Sequence, residues 1–148
     1  MIPAMASDWT SLAAAARRVL AQREAGDAAW VEKGRLTQAE AAARLRIARA
    51  LVTLWDSVVA GKSPYDAETA WIESRGTEGC YPHELRTDLT AAADRAWLLA
   101  ERNPEDLDAA RFAEAVAALA WHARPADHIS SIIDVAHVNA AARAGRAP

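Results

Sequence analysis

Cysteine is almost absent from this chain of 148 residues, in which Cys80 is the only one. An intrachain disulfide is therefore excluded, and this usage fits a reducing compartment. Long apolar runs are also missing, because no stretch approaches the length that spans a membrane. The N-terminus lacks the basic and then apolar pattern of a secretory signal. We therefore expect a cytoplasmic protein without a membrane segment.

Motifs for nucleotide binding and for nucleophilic catalysis are missing as well. The chain has no phosphate-binding glycine loop, no dinucleotide fingerprint and no Walker lysine. Cys80 stands without an elbow or an oxyanion motif, and helix ends explain the acidic residues at 101–108. Because no constellation of catalytic groups is present, we predict a protein that is not an enzyme and binds no cofactor.

Alanine is very frequent and β-branched residues are few, which predicts a helical protein. The length predicts one domain, residues 1–148, that is large enough to bury a core. The expected fold is all-α, a compact bundle of five or six helices without strands. Its front helices cover about 8–60 and its back helices about 64–144. Frequent alanine, together with the use of arginine rather than lysine, is typical of a GC-rich bacterial or phage genome.

Capping residues, glycines and prolines set the expected bounds of the helices. Ser7 is expected to cap the first helix, and Gly26 with Asp27 to interrupt it. Asn103 and Pro104 are expected to begin the fifth helix. The segment RGTEGCYPH is the least regular and is expected to be an exposed loop. Besides a short helix at 28–33, the predicted helices are 8–25, 38–60, about 64–74, 82–102, about 104–123 and about 126–144.

The stretch from Gly34 to Gly61 supports two different secondary structures. Thr37 and Glu40 form the pattern of a capping box, and Gly61 is placed to end a helix. Between them, apolar residues recur at three- and four-residue spacing, which indicates one amphipathic helix. Arg46 and Ala48, in the middle of this stretch, favour continuity since both are good helix formers.

The alternative is a helix-turn-helix, because residues 37–55 resemble the TQAELARRLGISRATVSR pattern of bacterial repressors. Arg46 stands at the usual glycine of the turn, and Ala48 at the usual cap of the second helix. The resemblance implies a DNA-binding regulator or packaging protein that uses 37–58. Arg46, Arg49 and Thr53 would then face the major groove, with Arg44 near phosphate.

A second resemblance covers residues 21–56, which are similar to a segment of small uncharacterised phage and prophage proteins. It implies an origin in a mobile element and says nothing about chemistry. The matching residues are Arg23, Trp30, Val31, Gly34, Arg35, Thr37, Gln38, Ala39, Trp55 and Asp56.

Charge is distributed unevenly along the chain. Residues 1–62 carry nine Lys and Arg against six Asp and Glu, whereas 63–148 carry eight against fourteen. The basic residues of the front half are too sparse for the clustered footprint of a nucleic-acid-binding domain. An acidic back half also disfavours contact with phosphates, so nucleic acid is the less favoured partner.

Six tryptophans are spread almost evenly, roughly one for each helix. Most are expected in the core, where they fill the space between alanine-rich helices. Since Trp is enriched at interface hot spots, Trp30 and Trp71 are the candidate partner contacts, together with Arg35 and Tyr81. We therefore predict a helical protein that acts by protein–protein contact, plausibly a phage accessory or inhibitor protein. Its alanine-lined faces also make a homo-oligomer possible.

A small metal-binding protein or enzyme is the third alternative, although no metal site is predicted and its candidate ligands are weak. Cys80 and His83 have the spacing of half a zinc site, and His122 and His128 could complete it. No second pair with ligand spacing is present, and the later histidines stand beside apolar residues.

Overall fold

The computed structural model describes residues 2–125, which form five helices and no strand. They are α1 (Trp9–Glu32), α2 (Gln38–Val59), α3 (Ala67–Glu73), α4 (Pro82–Arg102) and α5 (Leu107–His122). The prediction of an all-α fold is confirmed. The predicted helix at 126–144 lies outside the described residues. No helix in the described part combines the length and apolar character needed to cross a membrane.

α1 runs through Gly26 and Asp27 without interruption, so the predicted break there is wrong. A glycine inside a helix costs only about 1 kcal/mol relative to alanine. Here Asp27 is buried and accepts hydrogen bonds from Arg44, which offsets that cost. The predicted Ser7 cap is also wrong by one residue, since the Asp8 carboxylate accepts from the amide of Ser11 at 3.2 Å.

α2 is one continuous helix, as the first interpretation predicted. The Thr37 hydroxyl accepts from the amide of Glu40 at 3.0 Å, and the Thr37 amide donates to the Glu40 carboxylate at 3.3 Å. The turn that a helix-turn-helix needs between Leu45 and Arg49 is absent. The helix-turn-helix interpretation of 37–55 is therefore wrong in its geometry, because no residue there breaks the helix.

α3 and α5 begin later than the sequence signals indicated. The expected starts were Pro64 or Tyr65 for the third helix and Pro104 for the fifth. In each case an aspartate just downstream is the cap. Asp66 accepts from the amide of Thr69, and Asp106 from the amide of Ala109, both at 3.0 Å. A carboxylate at the N-cap also interacts favourably with the helix dipole.

The helices pair as two hairpins that pack into one bundle. α1 packs most extensively on α2 and α4 on α5, while α1 also contacts α5 and α2 contacts α4. Leu12, Leu51, Trp55, Leu89 and Leu119 are almost completely buried between them. The short connections after α1 and after α4 make each hairpin antiparallel. The end of α1, the end of α4 and the start of α5 consequently lie at the same end of the bundle.

The loop before α4 is partly internal, which corrects the expectation of an exposed loop. Gly79 and Cys80 are buried, and the amide of Cys80 donates to the carbonyl of Ala67 at 3.1 Å. Burial, followed by the nearby charge of Glu84, raises the pKa of the Cys80 thiol to about 11. The hydrogen bond from Cys80 to Ala67 joins this loop to α3, and the buried Cys80 side chain joins it to the core.

Candidate functional site

A groove of about 310 Å³ opens where α1, α4 and α5 meet. Its α1 wall presents residues at the spacing of one helix face, from Arg18 to Trp30. Arg95 and Leu99 lie on the α4 wall, and Phe112 lies on the α5 wall. The groove therefore combines several charged groups with apolar and aromatic side chains.

A buried ion pair holds the inner end of the groove. Arg23 of α1 donates two hydrogen bonds to the Asp88 carboxylate of α4, at 2.6 and 2.9 Å. The side chains are 4% and 10% exposed. The same guanidinium donates to the carbonyl of Arg44 on α2 at 2.9 Å. One arginine thus connects three helices with charge-assisted hydrogen bonds.

A second ion pair lies beside the first. The Arg44 guanidinium donates to both carboxylate oxygens of Asp27, at 2.7 and 3.2 Å. The hydrogen bond to Asp27 raises the pKa of Arg44. The sequence analysis predicted neither ion pair. The one local signal is the four-residue spacing of Arg23 and Asp27, which places these two residues, one from each pair, on the same face of α1.

Arg95 is the fourth arginine that lines the groove, besides Arg23, Arg44 and Arg18, which pairs with Asp108. It forms no hydrogen bond or ion pair with any residue in 2–125. Partial burial, followed by repulsion from Arg44 and Arg23, lowers the pKa of Arg95. Asp88 and Asp27 act in the opposite direction but are each engaged by another arginine. Arg95 is thus a cation that faces the groove without a counter-ion of its own.

Large apolar side chains surround the outer end of the groove. Trp30 is 48% exposed and Leu99 is 55% exposed, and both line the groove. Trp97 and Leu98, at 53% and 51%, are exposed on other sides of α4, because successive helical residues are about 100° apart. Leu107, at the start of α5, is 70% exposed. We call these five residues the apolar surface.

Most tryptophans were expected in the core, but Trp97 is exposed on α4. On this helix Leu85, Leu89 and Ala96 face the core. Three consecutive large apolar residues cannot all face inward on one helix. That run was the signal in the sequence that could have identified this surface.

The four predicted partner contacts fall into two pairs. Trp30 and Arg35 lie at the end of α1, where the Arg35 amide donates to the Trp30 carbonyl at 3.0 Å. Both side chains are exposed. Trp71 and Tyr81 are half-buried against each other, with ring centroids 4.5 Å apart. Of the four, Trp30 is the one that lines the groove.

The residues proposed for DNA contact are largely engaged within the protein. Arg44 pairs with Asp27, and Arg46 donates to the carbonyl of Gly79 at 2.7 Å and to Glu84 at 2.9 Å. Arg49 and Thr53 are exposed, and the Thr53 hydroxyl donates to the Arg49 carbonyl at 3.0 Å. Two of the four side chains are therefore unavailable to phosphates or bases without loss of an internal ion pair.

The weak metal candidates have different surroundings. Cys80 is fully buried, whereas His83 is exposed and stacks on Tyr81. His122 is buried against the ring of Trp55, and its Nε2 is 2.7 Å from the Ala6 carbonyl oxygen. His128 lies outside the described residues. Within 2–125, no three His, Cys, Asp or Glu side chains are grouped to hold a metal ion.

Acid is expected to weaken the contact between α2 and α4. The hydrogen bond from Arg46 lowers the pKa of Glu84 below its usual value of 4.5. The pair therefore stabilises the fold above that value, and its contribution is lost as the pH falls through the lowered pKa. Glu84→Gln should reduce stability at neutral pH and flatten its decline below 4.5.

Urea unfolding at a series of pH values checks this prediction. Glu114→Gln is the control, since Glu114 is exposed and forms no ion pair within the described part of the chain. Equal acid sensitivity in wild type and Glu84→Gln would contradict it.

Comparison of the chain with protein-family models, with curated proteins and with solved structures finds no match. The groove and the apolar surface are the features of residues 2–125 that point to a function.

Proposed function

We propose that this protein acts by binding another protein through the groove and the adjoining apolar surface. The observation that carries this proposal is the exposure of Trp30, Trp97, Leu98, Leu99 and Leu107, which ranges from 48% to 70%. Large exposed apolar side chains beside a concave region are typical of interaction sites.

Energetic considerations support a protein partner. Fully burying a large apolar side chain is worth about 1.5–3 kcal/mol relative to leaving it in water. Trp30 and Trp97 belong to the residue type most enriched at hot spots, and Trp30 lines the groove. A partner that covers this surface would remove from water the apolar side chains that the bundle leaves exposed.

The proposal also includes the origin and the cellular location of the protein. The resemblance of residues 21–56 to phage and prophage proteins supports an origin in a mobile element, with an accessory or inhibitory role. A cytoplasmic location is supported by the single cysteine, Cys80.

Selection from a random dodecapeptide library on the immobilised full chain tests the function. Selected peptides, measured in solution by fluorescence anisotropy, should bind saturably to wild type. Binding should fall about tenfold or more in Trp97→Ser/Leu99→Ser, because hot-spot residues each contribute 2 kcal/mol or more. Ile72→Ser is the matched control, since Ile72 is 57% exposed on α3, outside the groove.

Two outcomes would overturn the proposal. One is a selection that yields no saturable binder, or binders that the double variant and the control affect equally. The other is salt-sensitive binding of random duplex DNA that is lost in Arg49→Glu, since this would assign the exposed face of α2 to nucleic acid.

A further inference from the structure

Arg95 lies near two guanidinium groups and two carboxylates that are already paired with each other. Arg23 pairs with Asp88 and Arg44 pairs with Asp27. Arg95 is influenced by the charges of all four but is bonded to none of them. This local group of five side chains therefore has a net charge of +1, located on the wall of the groove.

The position of Arg95 makes this charge available to a bound molecule. Its side chain lines the groove one turn before Leu99, and Trp30 lines the facing wall on α1. A carboxylate bound to Arg95 would lie beside two half-exposed apolar side chains. Partial burial and then repulsion from Arg44 and Arg23 lower the pKa of Arg95, and an added anion would offset that repulsion.

We infer that the partner protein inserts an Asp or Glu side chain into the groove, where its carboxylate binds Arg95. An apolar residue next to that acid contacts Trp30 and Leu99. This inference rests on the proposed function and names the chemistry of the partner. A singly charged carboxylate matches Arg95, the one groove-lining arginine without an ion pair among residues 2–125, and guanidinium binds carboxylate with two parallel hydrogen bonds. A dianionic phosphate would exceed that charge, and Asp106, which also lines the groove, disfavours a second negative charge.

The peptides selected from the random dodecapeptide library supply the probe. They should contain an Asp or Glu next to an apolar residue, and Arg95→Met should weaken their binding about tenfold, which is the range for a charged hydrogen bond. Arg95→Lys should restore part of the affinity, since it keeps the charge but loses the planar fork. Replacing the peptide acid by its amide should cause the same loss in wild type and no further loss in Arg95→Met.

Arg111→Met is the matched control, because Arg111 is an exposed arginine of α5 that does not line the groove. It should leave peptide affinity unchanged. Thermal unfolding separates binding from a structural role. Arg95→Met should not lower the melting temperature, since the substitution removes repulsion and breaks no bond within residues 2–125.

The outcomes distinguish this inference from the proposed function. Peptides that need Trp97 and Leu99 but carry no acid, or that bind Arg95→Met as tightly as wild type, would overturn the carboxylate inference and leave the proposed function intact. A dimer in sedimentation that Leu99→Ser dissociates would also overturn it, because a second copy would then be the occupant. If no selected peptide binds saturably, both the proposed function and the carboxylate inference are overturned.

Discussion

Replacing Arg23 with methionine is expected to lower the free energy of unfolding by about 3–5 kcal/mol. The substitution leaves the Asp88 carboxylate, which is 10% exposed, as a buried charge without a partner. It also removes the hydrogen bond that Arg23 donates to the Arg44 carbonyl. Because the three residues are on α1, α2 and α4, the loss loosens the contact between the two hairpins. Urea unfolding followed by tryptophan fluorescence measures the change.

Two further variants identify the cause of this loss. Arg17→Met removes an ion pair with Asp56 whose side chains are 54% and 50% exposed, and it should cost at most about 1 kcal/mol. Arg23→Met/Asp88→Leu removes both buried charges and should recover much of the stability, since apolar replacement of a buried pair is often neutral. A loss in Arg23→Met no larger than that in Arg17→Met would show that the buried pair is not a main contact.

Replacing Gly79 with alanine is expected to destabilise the protein by about 3 kcal/mol, which combines left-handed strain with overpacking. Gly79 has a φ of +74°, where residues with a Cβ are strained. An added Cβ would collide with the carbonyl oxygen of Ala67 and lie 2.7 Å from the amide nitrogen of Trp71. Both atoms belong to the backbone of α3, so the helix itself must move.

Gly34→Ala is the matched control, because Gly34 has a φ of +72° and no atom within 4 Å of the added Cβ. It should show the backbone strain alone, about 1–2 kcal/mol. The difference between the variants in urea unfolding then measures the steric contact with α3. Circular dichroism shows whether helix is lost. Equal effects of the two substitutions would contradict a close approach of α3 to the loop.

The helices could be predicted where local signals agree. The Thr37 and Glu40 capping box, the apolar stripe of α2 and Pro82 at the start of α4 each act within a few residues, and the structure has helices there. Prediction failed where a distant contact decides the outcome. Gly26 and Asp27 are typical of a helix break, yet Arg44, on another helix, stabilises Asp27 inside α1.

The candidate site could be predicted only in part, for the same reason. Trp30 was identified because a large aromatic residue near a helix end is often exposed, and it is. Arg95 could not be identified, because its importance arises from the pairing of Arg23 with Asp88 and of Arg44 with Asp27. Those pairs connect residues 65 and 17 positions apart, so periodicity along one helix does not contain them.

The burial of Cys80 makes the protein convenient for site-specific labelling. Thiol reagents react with the thiolate, and this thiol is fully buried with its pKa raised to about 11. Reaction of wild type with a maleimide therefore reports the opening of the bundle. Since Cys80 is the only cysteine, a second one placed at Leu98 would carry a fluorophore on the apolar surface while the native thiol stays unmodified.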